Sequence, residues 1–540
     1  MKKTVRMVLL LTLVLLLLLS ACDGNPNPAQ TDPNTDTIGE TEGQGINPGD
    51  MFGGNTGEHE QPTGTPDPIE DPAQMETAGG LFFRPASGGT GDVIPIYYDG
   101  QFYVFFLHGT AKKWCYVTTT DFVNYSEIKG LRAFGGTGDL INVDGTWHLF
   151  AGLSDGNAEI IHHYVGEEID NLRDTYQNIV PDEEKFNYFA WRDPRVWYDE
   201  GLEKYCMLVC ADVKDGDPVS RNGSVAFLTS DDLYEWTTER AFFNSGYYSG
   251  ANECPDYFKM GDWYYLVYSD CSYGKRTYYA KSQNPYGPWE IPDNDTFDSL
   301  FYYAAKTASD GKNRYLFGWA GDRTENTMAL DKAGDLIDPN FATIAYAGSM
   351  VVHRLVQQPN GDLTVAPAES QLNAFEKVVK NTFIPLSGEW TTGDDTAAVT
   401  AENTFAAMLM QNLPDSFVLT FDLKADAKQA GFALNVNSTF EGKGWYFNFD
   451  RQYSRLQMVS GIRSGIAGYY FPYESELERP LQMEAGKTYH VTVLVDGEIA
   501  VVYVDDRIAL TTRMISDGNQ ALGLYCYAGS LEISNLAMKK

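Results

Sequence analysis

Glu253-Cys254-Pro255-Asp256-Tyr257-Phe258-Lys259-Met260-Gly261-Asp262-Trp263-Tyr264-Tyr265-Leu266-Val267-Tyr268 reads as a β-hairpin. Two runs of strand-forming aromatic and β-branched residues flank a Gly-Asp pair, the composition of a tight hairpin. Moving outward, the same unit recurs five times at a spacing of about fifty residues, with turn glycines at Gly100, Gly145, Gly201, Gly261 and Gly311. Each glycine is followed by a second apolar strand: Phe102–Phe106, Trp147–Phe150, Tyr205–Val209, Trp263–Val267 and Tyr315–Trp319. Several units add a third strand with a polar corner, as in Thr118-Thr119-Thr120-Asp121-Phe122, Thr229-Ser230-Asp231-Asp232-Leu233 and Ala280-Lys281-Ser282. Strand, hairpin, strand, corner, strand is a propeller blade, and radial repetition leaves only short protected edges. The sequence therefore predicts a five-bladed β-propeller over residues 79–370.

Counting back eight positions from the turn glycine reaches Asp92 in the first unit, Asp193 in the third and Glu253 in the fourth. If that position begins the innermost strand, three acids converge at one mouth of the central channel. Like charges brought together in a partly dry site raise the free energy of the fold, so their repetition among apolar strands points to chemistry. Asp139 in Thr137-Gly138-Asp139 echoes Thr90-Gly91-Asp92 but lies six residues before its glycine, and is expected to be a turn or sugar-binding residue. Asp256 is a weaker rival for the acid role.

Beyond a link near Pro367 to Lys380, with a short helix expected around Ala368 to Phe375, strand signals resume at Phe417–Phe421, Gly444–Phe449, His490–Val495 and Ile499–Val504. Alternation and Asp-Gly turns predict a C-terminal β-sandwich over residues 380–540, expected to pack against the propeller. The whole is an all-β chain.

At the other end, Lys2, Lys3 and Arg6 precede an apolar run from Val8 to Leu19, then Ser20, Ala21 and Cys22. This is a signal peptide over residues 1–22, too short to span a bilayer. Leu19-Ser20-Ala21-Cys22 resembles the lipobox of bacterial lipoproteins, so Cys22 is the expected acylation site, with the mature chain on the outer side of the membrane. Residues 23–78, rich in Asn, Pro, Thr, Gly and acids and without Lys or Arg, are expected to form a disordered acidic tether. Cys115, Cys206, Cys210, Cys254, Cys271 and Cys526 show no framework spacing and are expected to be buried thiols rather than disulfides or zinc ligands. A net charge of −34 argues against nucleic acid or an anionic membrane surface as partner, and a neutral sugar fits better. No metal or organic cofactor is signalled, and no Asp-x-Asp-x-Asp-Gly calcium loop is present.

Arg192-Asp193-Pro194 and Glu253-Cys254-Pro255, in that order and about sixty residues apart, resemble the Arg-Asp-Pro and Glu-Cys-Pro motifs of glycoside hydrolase family 32. Those are fructan-hydrolysing enzymes, with propeller relatives in families 43, 62 and 68. Gly348-Ser349-Met350-Val351-Val352-His353-Arg354 resembles their propeller-closing strand, and family members also carry a C-terminal sandwich. The resemblance implies Asp92 as nucleophile, Glu253 as general acid/base and Asp193 as transition-state stabiliser. It further implies Arg192 and Cys254 as substrate-side residues and a fructan or other furanoside as substrate. One departure concerns Asp92: the family surrounds its nucleophile with Trp, Asn and Pro-Asn-Gly, whereas this chain reads Gly89-Thr90-Gly91-Asp92-Val93-Ile94-Pro95. Trp114, Trp191 and Trp319 are candidates for the missing aromatic wall.

Two other readings remain open on the sequence. An inverting family-43-type arabinofuranosidase or xylosidase would need room for a water between Asp92 and Glu253. A non-catalytic carbohydrate-binding lipoprotein would keep the fold without turnover.

Overall fold

In the computed structural model the described residues run from 80 to 540, apart from short internal segments of which 215–222 and 324–343 are the longest. The expected signal peptide, the expected lipidation site Cys22, the expected tether and Cys271 lie outside them. Five antiparallel blades surround a channel. Blade 1 comprises Thr90–Tyr98, Gln101–His108, Trp114–Thr119 and Lys129–Gly130; blade 2 comprises Gly138–Val143, Thr146–Ser154, Glu159–Gly166 and Arg173–Ile179. Blade 3 comprises Arg192–Asp199, Lys204–Asp212, Gly223–Ser230 and Thr237–Phe243. Blade 4 has Glu253–Met260, Trp263–Asp270 and Arg276–Ser282, its outer edge marked by the bridges Tyr278↔Thr296 and Lys281↔Glu290. Blade 5 has Tyr302–Ser309, Arg314–Arg323, Ile344–Gln357 and Leu363–Pro367. The ring closes where Thr90 of blade 1 pairs with Gly348 of blade 5, and the Thr90 hydroxyl donates to the Gly348 carbonyl at 3.0 Å.

The inner hairpins explain the strand register. Asp99-Gly100 and Asp144-Gly145 both have positive φ at the two turn positions (48° and 79°, 50° and 89°), the primed turn that matches strand twist. In Gly261-Asp262 only the glycine is left-handed, at 57°, so the glycine occupies the first turn position rather than the second. That one-residue difference matters for the site below.

A short helix, Glu369–Asn373, leads to the sandwich. Its central strand, Ser416–Val436, is long enough to serve two layers. Its first half pairs with Thr488–Asp496 and its second with Lys443–Asp450, while Ala521–Lys539 runs along its other side. The sandwich core of Phe417, Leu419, Phe421, Phe432, Phe447, Val491, Val501 and Leu524 is continuous with propeller residues Tyr265, Tyr279, Leu316 and Val351. The seam also carries a buried polar cluster. The Asp298 carboxylate accepts from the Thr511 amide at 2.7 Å and contacts His353 Nε2 at 3.1 Å, and His353 Nδ1 meets the Tyr503 hydroxyl at 2.8 Å. Burial pushes the Asp298 carboxyl up, but His353 and the Thr511 bonds outweigh it and hold the group below its ordinary value. The described cysteines Cys115, Cys206, Cys210, Cys254 and Cys526 are buried free thiols.

Candidate active site

Four of the five inner strands carry a β-bulge at the same height. The register slips between Gly91 and Ile94, Arg192 and Arg195, Glu253 and Asp256, and Tyr303 and Lys306. The first extra residue of each is left-handed: Asp92 (φ 40°), Asp193 (56°), Cys254 (49°) and Ala304 (52°). Non-glycine residues held there cost about 1 kcal/mol or more each, and such strain collects where a bulge re-aims a side chain. Asp92 and Asp193 are therefore structural equivalents, as the count from the turn glycines suggests. Glu253 is not; its equivalents are Gly91, Arg192 and Tyr303, and Cys254 takes the Asp193 position. The offset arises because Gly261 is the first residue of its turn, so eight positions back from it falls one residue short of the bulge.

Asp92 joins the other two acids through Trp319, whose ring lies 5.6 Å from that of Tyr303, and Arg192 of blade 3 reaches across to tie Asp193 to Glu253. Its guanidinium contacts Glu253 Oε1 at 2.7 Å, Asp193 Oδ2 at 3.9 Å and Glu159 Oε2 at 2.8 Å. Asp193 also accepts the Cys254 amide at 3.0 Å and the Cys254 thiol at 3.6 Å. Asp92 is held by the Thr137 hydroxyl, the Trp319 indole at 3.3 Å and the Tyr346 hydroxyl at 3.1 Å. Glu253 Oε2 accepts from the Tyr303 hydroxyl. Burial, with the charge of Glu253 added, pushes the Asp92 carboxyl above its ordinary value against those three donors. Asp193 is pushed up to about 7, by burial first and by the charges of Glu253 and Asp92, against the opposing pull of Arg192.

One residue below the bulges lies a second ring, made of Ile94, Asp139, Arg195, Asp256 and Lys306. Arg195 bridges Asp139 at 2.9 Å and Asp256 at 2.8 Å. Asp139 also accepts the Val196 amide at 2.8 Å, and Asp256 accepts the Thr307 amide at 2.8 Å. Asp139 is thus a buried cross-blade strut and not a sugar contact. Blade 2 lacks a bulge, so the Thr-Gly-Asp tripeptide that points Asp92 into the site here points Thr137 there and sinks Asp139 one layer deeper. Asp256 is likewise consumed by the ring.

The aromatic candidates separate in the same way. Trp114 and Trp191 are fully buried between blades, their indoles donating to the Gly136 and Ile179 carbonyls at 3.2 Å in both cases, and neither is a sugar platform. Trp319 lies at the carboxylates, beside Tyr303 and Tyr346 at ring separations of 5.6 Å each. Cys254 faces inward onto Asp193 and is buried, so it serves that carboxylate rather than a ligand. Glu159, Thr137, Tyr303, Tyr346 and Lys306 were not evident in the sequence; only the repeated Thr-Gly-Asp hinted at Thr137. Among the described residues no group of three or more His, Cys, Asp or Glu side chains is placed to hold a metal ion.

Residues 139–354 match the N-terminal domain of glycosyl hydrolases family 32. A sucrose-6-phosphate hydrolase of Escherichia coli is 24% identical over 360 residues, spanning 63% of this chain and 64% of that protein, just under two thirds of its length. A raffinose invertase of Escherichia coli is 24% identical over 481 residues, spanning 80% of this chain and 88% of that protein. Among solved structures, an exo-inulinase from Aspergillus awamori superposes with TM-score 0.63 at 12% identity, covering 86% of this chain and 98% of its own. The Bombyx mori GH32 β-fructofuranosidase BmSUC1 gives 0.60 at 14% identity, covering 86% and 94%. These structures share the propeller-plus-sandwich fold.

Proposed function

As a fructofuranosidase-like protein of glycosyl hydrolase family 32, the chain is, we propose, a glycosidase that cleaves fructosyl linkages of sucrose-type oligosaccharides or fructans with retention at the anomeric carbon. Asp92 attacks the anomeric carbon through a carboxylate oxygen while Glu253 gives its proton to the departing glycosidic oxygen. A water then loses a proton to Glu253, attacks the same carbon and frees Asp92. Three donors on Asp92 orient the carboxylate and favour its anion. Asp193 bonds the sugar hydroxyls. When it does so, those hydroxyl donors favour its ionised form.

The observation that carries the reading is the gathering of Asp193 and Glu253 on the Arg192 guanidinium, with Asp92 held beside them by Thr137, Trp319 and Tyr346. The test is product release by the purified chain from sucrose, inulin, levan, arabinan and xylan, beside Asp92→Asn and Glu253→Gln. Fructose release by the parent, lost in both variants, is expected, and NMR of the first-formed anomer reports retention. Pentose release instead would move the activity to arabinan or xylan, and tight binding without turnover would leave a sugar-binding protein.

The same proposal includes export and anchoring through Cys22, supported by the lipobox-like Leu19-Ser20-Ala21-Cys22. Labelled fatty acid should enter the parent chain and be absent from Cys22→Ser; equal labelling would sink the anchor.

A further inference from the structure

Below the acid cluster, Lys306 of blade 5 is 2% exposed, the deepest cation of the channel. Among the described residues its ammonium forms no ion pair. It donates instead to two backbone carbonyls on other blades, Pro194 at 2.8 Å and Gly138 at 3.2 Å. Burying an ammonium on neutral carbonyls costs more than filling the space with a methionine of similar volume, so stability alone does not account for it. What the two carbonyls share is their position. Pro194 directly follows Asp193, and Gly138 directly follows Thr137, whose hydroxyl holds Asp92.

We infer that Lys306 is a positioning residue for hydrolysis: one buried ammonium pins the chain immediately after Asp193 and immediately after Thr137, and so fixes the stabilising carboxylate and the nucleophile's donor together. The inference rests on the hydrolytic reading above. The charged and titratable groups around Lys306 come from every neighbouring blade. Asp139 and Arg195 are paired on blades 2 and 3, Asp256 is paired to Arg195, and Cys254 of blade 4 feels the ammonium directly. Above them stand Asp92, Asp193 and Glu253. Asp139, Arg195 and Asp256 are engaged with one another, Arg192 is paired with Asp193 and Glu253, and Lys275 stands over the Trp319 ring at 5.5 Å; Lys306 adds a further positive charge beneath the carboxyls, and its loss makes them harder to ionise.

The experiment uses the full chain with Lys306→Met and Lys306→Arg. In Lys306→Met, kcat on the cleaved fructoside should fall on the order of 100-fold or more, with the fold intact by circular dichroism. The acid limb of kcat/KM should move up by about one pH unit, because Asp92 must be ionised to attack. Lys306→Arg should restore the limb even where kcat recovers only in part. A loss spread evenly over pH, with the limb unmoved in both variants, would mark a merely structural lysine and overturn the inference. Difference infrared spectra of the protonated carboxyl stretch between pH 5 and 9 supply a readout without turnover. Loss of that band should move up in Lys306→Met, and an unchanged titration overturns the inference. A parent that cleaves no fructoside but shows the infrared shift would instead sink the hydrolytic reading and leave the electrostatic role of Lys306 standing.

Discussion

Replacing Asp193 by asparagine should make the protein more stable at pH 8 while abolishing its activity. The carboxyl is 3% exposed and pushed up from an ordinary 3.8 to about 7. Below pH 3.8 it is protonated in both the folded and the unfolded chain, and its contribution cancels. As the pH rises through that value the unfolded chain releases the proton and the folded chain keeps it, so stability falls until the folded group ionises near 7. Above that pH the ionised native state carries a cost of about 4 kcal/mol as a ceiling, from roughly 1.4 kcal/mol per tenfold change in proton affinity. Asparagine is neutral throughout, and its side-chain oxygen still accepts the Cys254 amide. The value of about 7 already includes the pull of Arg192, and in the variant Arg192 keeps Glu159 and Glu253 at 2.8 and 2.7 Å. The net expectation is a gain of about 1–3 kcal/mol at pH 8 that vanishes near pH 4. Urea unfolding of parent and variant at both pH values, read at the first transition, measures it. An asparagine variant less stable than the parent at pH 8, or one with the same offset at both pH values, would show that Asp193 is not held against its own ionisation.

Asp139→Asn should cost about 3–5 kcal/mol of stability, since it leaves Arg195 a weakened buried partner, yet change KM by less than twofold in whatever folds at 15 °C; a KM rise of tenfold in a stable variant would return Asp139 to the substrate site. Trp319→Phe removes the indole donor from Asp92 at 3.3 Å. Its kcat/KM should fall about tenfold and the acid limb should move to higher pH, because the anion has lost a bond; a pH profile superimposable on the parent's would contradict that. Asp298→Asn should destabilise the propeller–sandwich seam at pH 7 by about 2–4 kcal/mol. Because the Asp298 carboxyl is held below its ordinary value, the stability it contributes is present above pH 3.8 and is lost as the pH falls through the folded value. The gap between variant and parent should therefore close in acid, and calorimetry at pH 7 and pH 3 decides it.

The fold was legible because its information is local and repeated. Each blade has its own hairpin signal, and Asp99-Gly100 or Asp144-Gly145 needs no distant contact to turn. The sandwich was legible for the same reason, through alternation in strands such as Ile499–Val504. Buried tryptophans were not sorted by composition alone: Trp114, Trp191 and Trp319 are all buried, and only the partner of each indole tells packing from the site. Glu159, Tyr303 and Lys306 come from strands whose sequence says nothing of which neighbour they will meet across the channel, so only the ring geometry assigns them.

The acid trio was found by an offset that is physically right for two members and accidentally right for the third. Asp92 and Asp193 stand six residues before the last paired position of their strands, Tyr98 and Asp199, and at the same left-handed bulge. Glu253 stands seven before Met260 and at the residue preceding the bulge. Its agreement in the glycine count reflects a turn that opens with glycine instead of closing with it. The two frames carry different chemistry. A bulge carboxylate is buried and held by fixed donors, the Cys254 amide for Asp193 and two hydroxyls and an indole for Asp92, which suits a group that must attack or grip one sugar in a fixed place. The residue before it still belongs to the regular ladder, opposite Ser269 for Glu253, Cys210 for Arg192 and Trp319 for Tyr303, and these three side chains meet one another in a row. Glu253 therefore lies between the Arg192 guanidinium and the Tyr303 hydroxyl, whereas Asp92 lies among three neutral donors. Two registers of one repeated strand divide the site into a nucleophile-and-grip level and a proton-transfer level, and the bulge that recurs at Asp92, Asp193, Cys254 and Ala304 is what sets them apart.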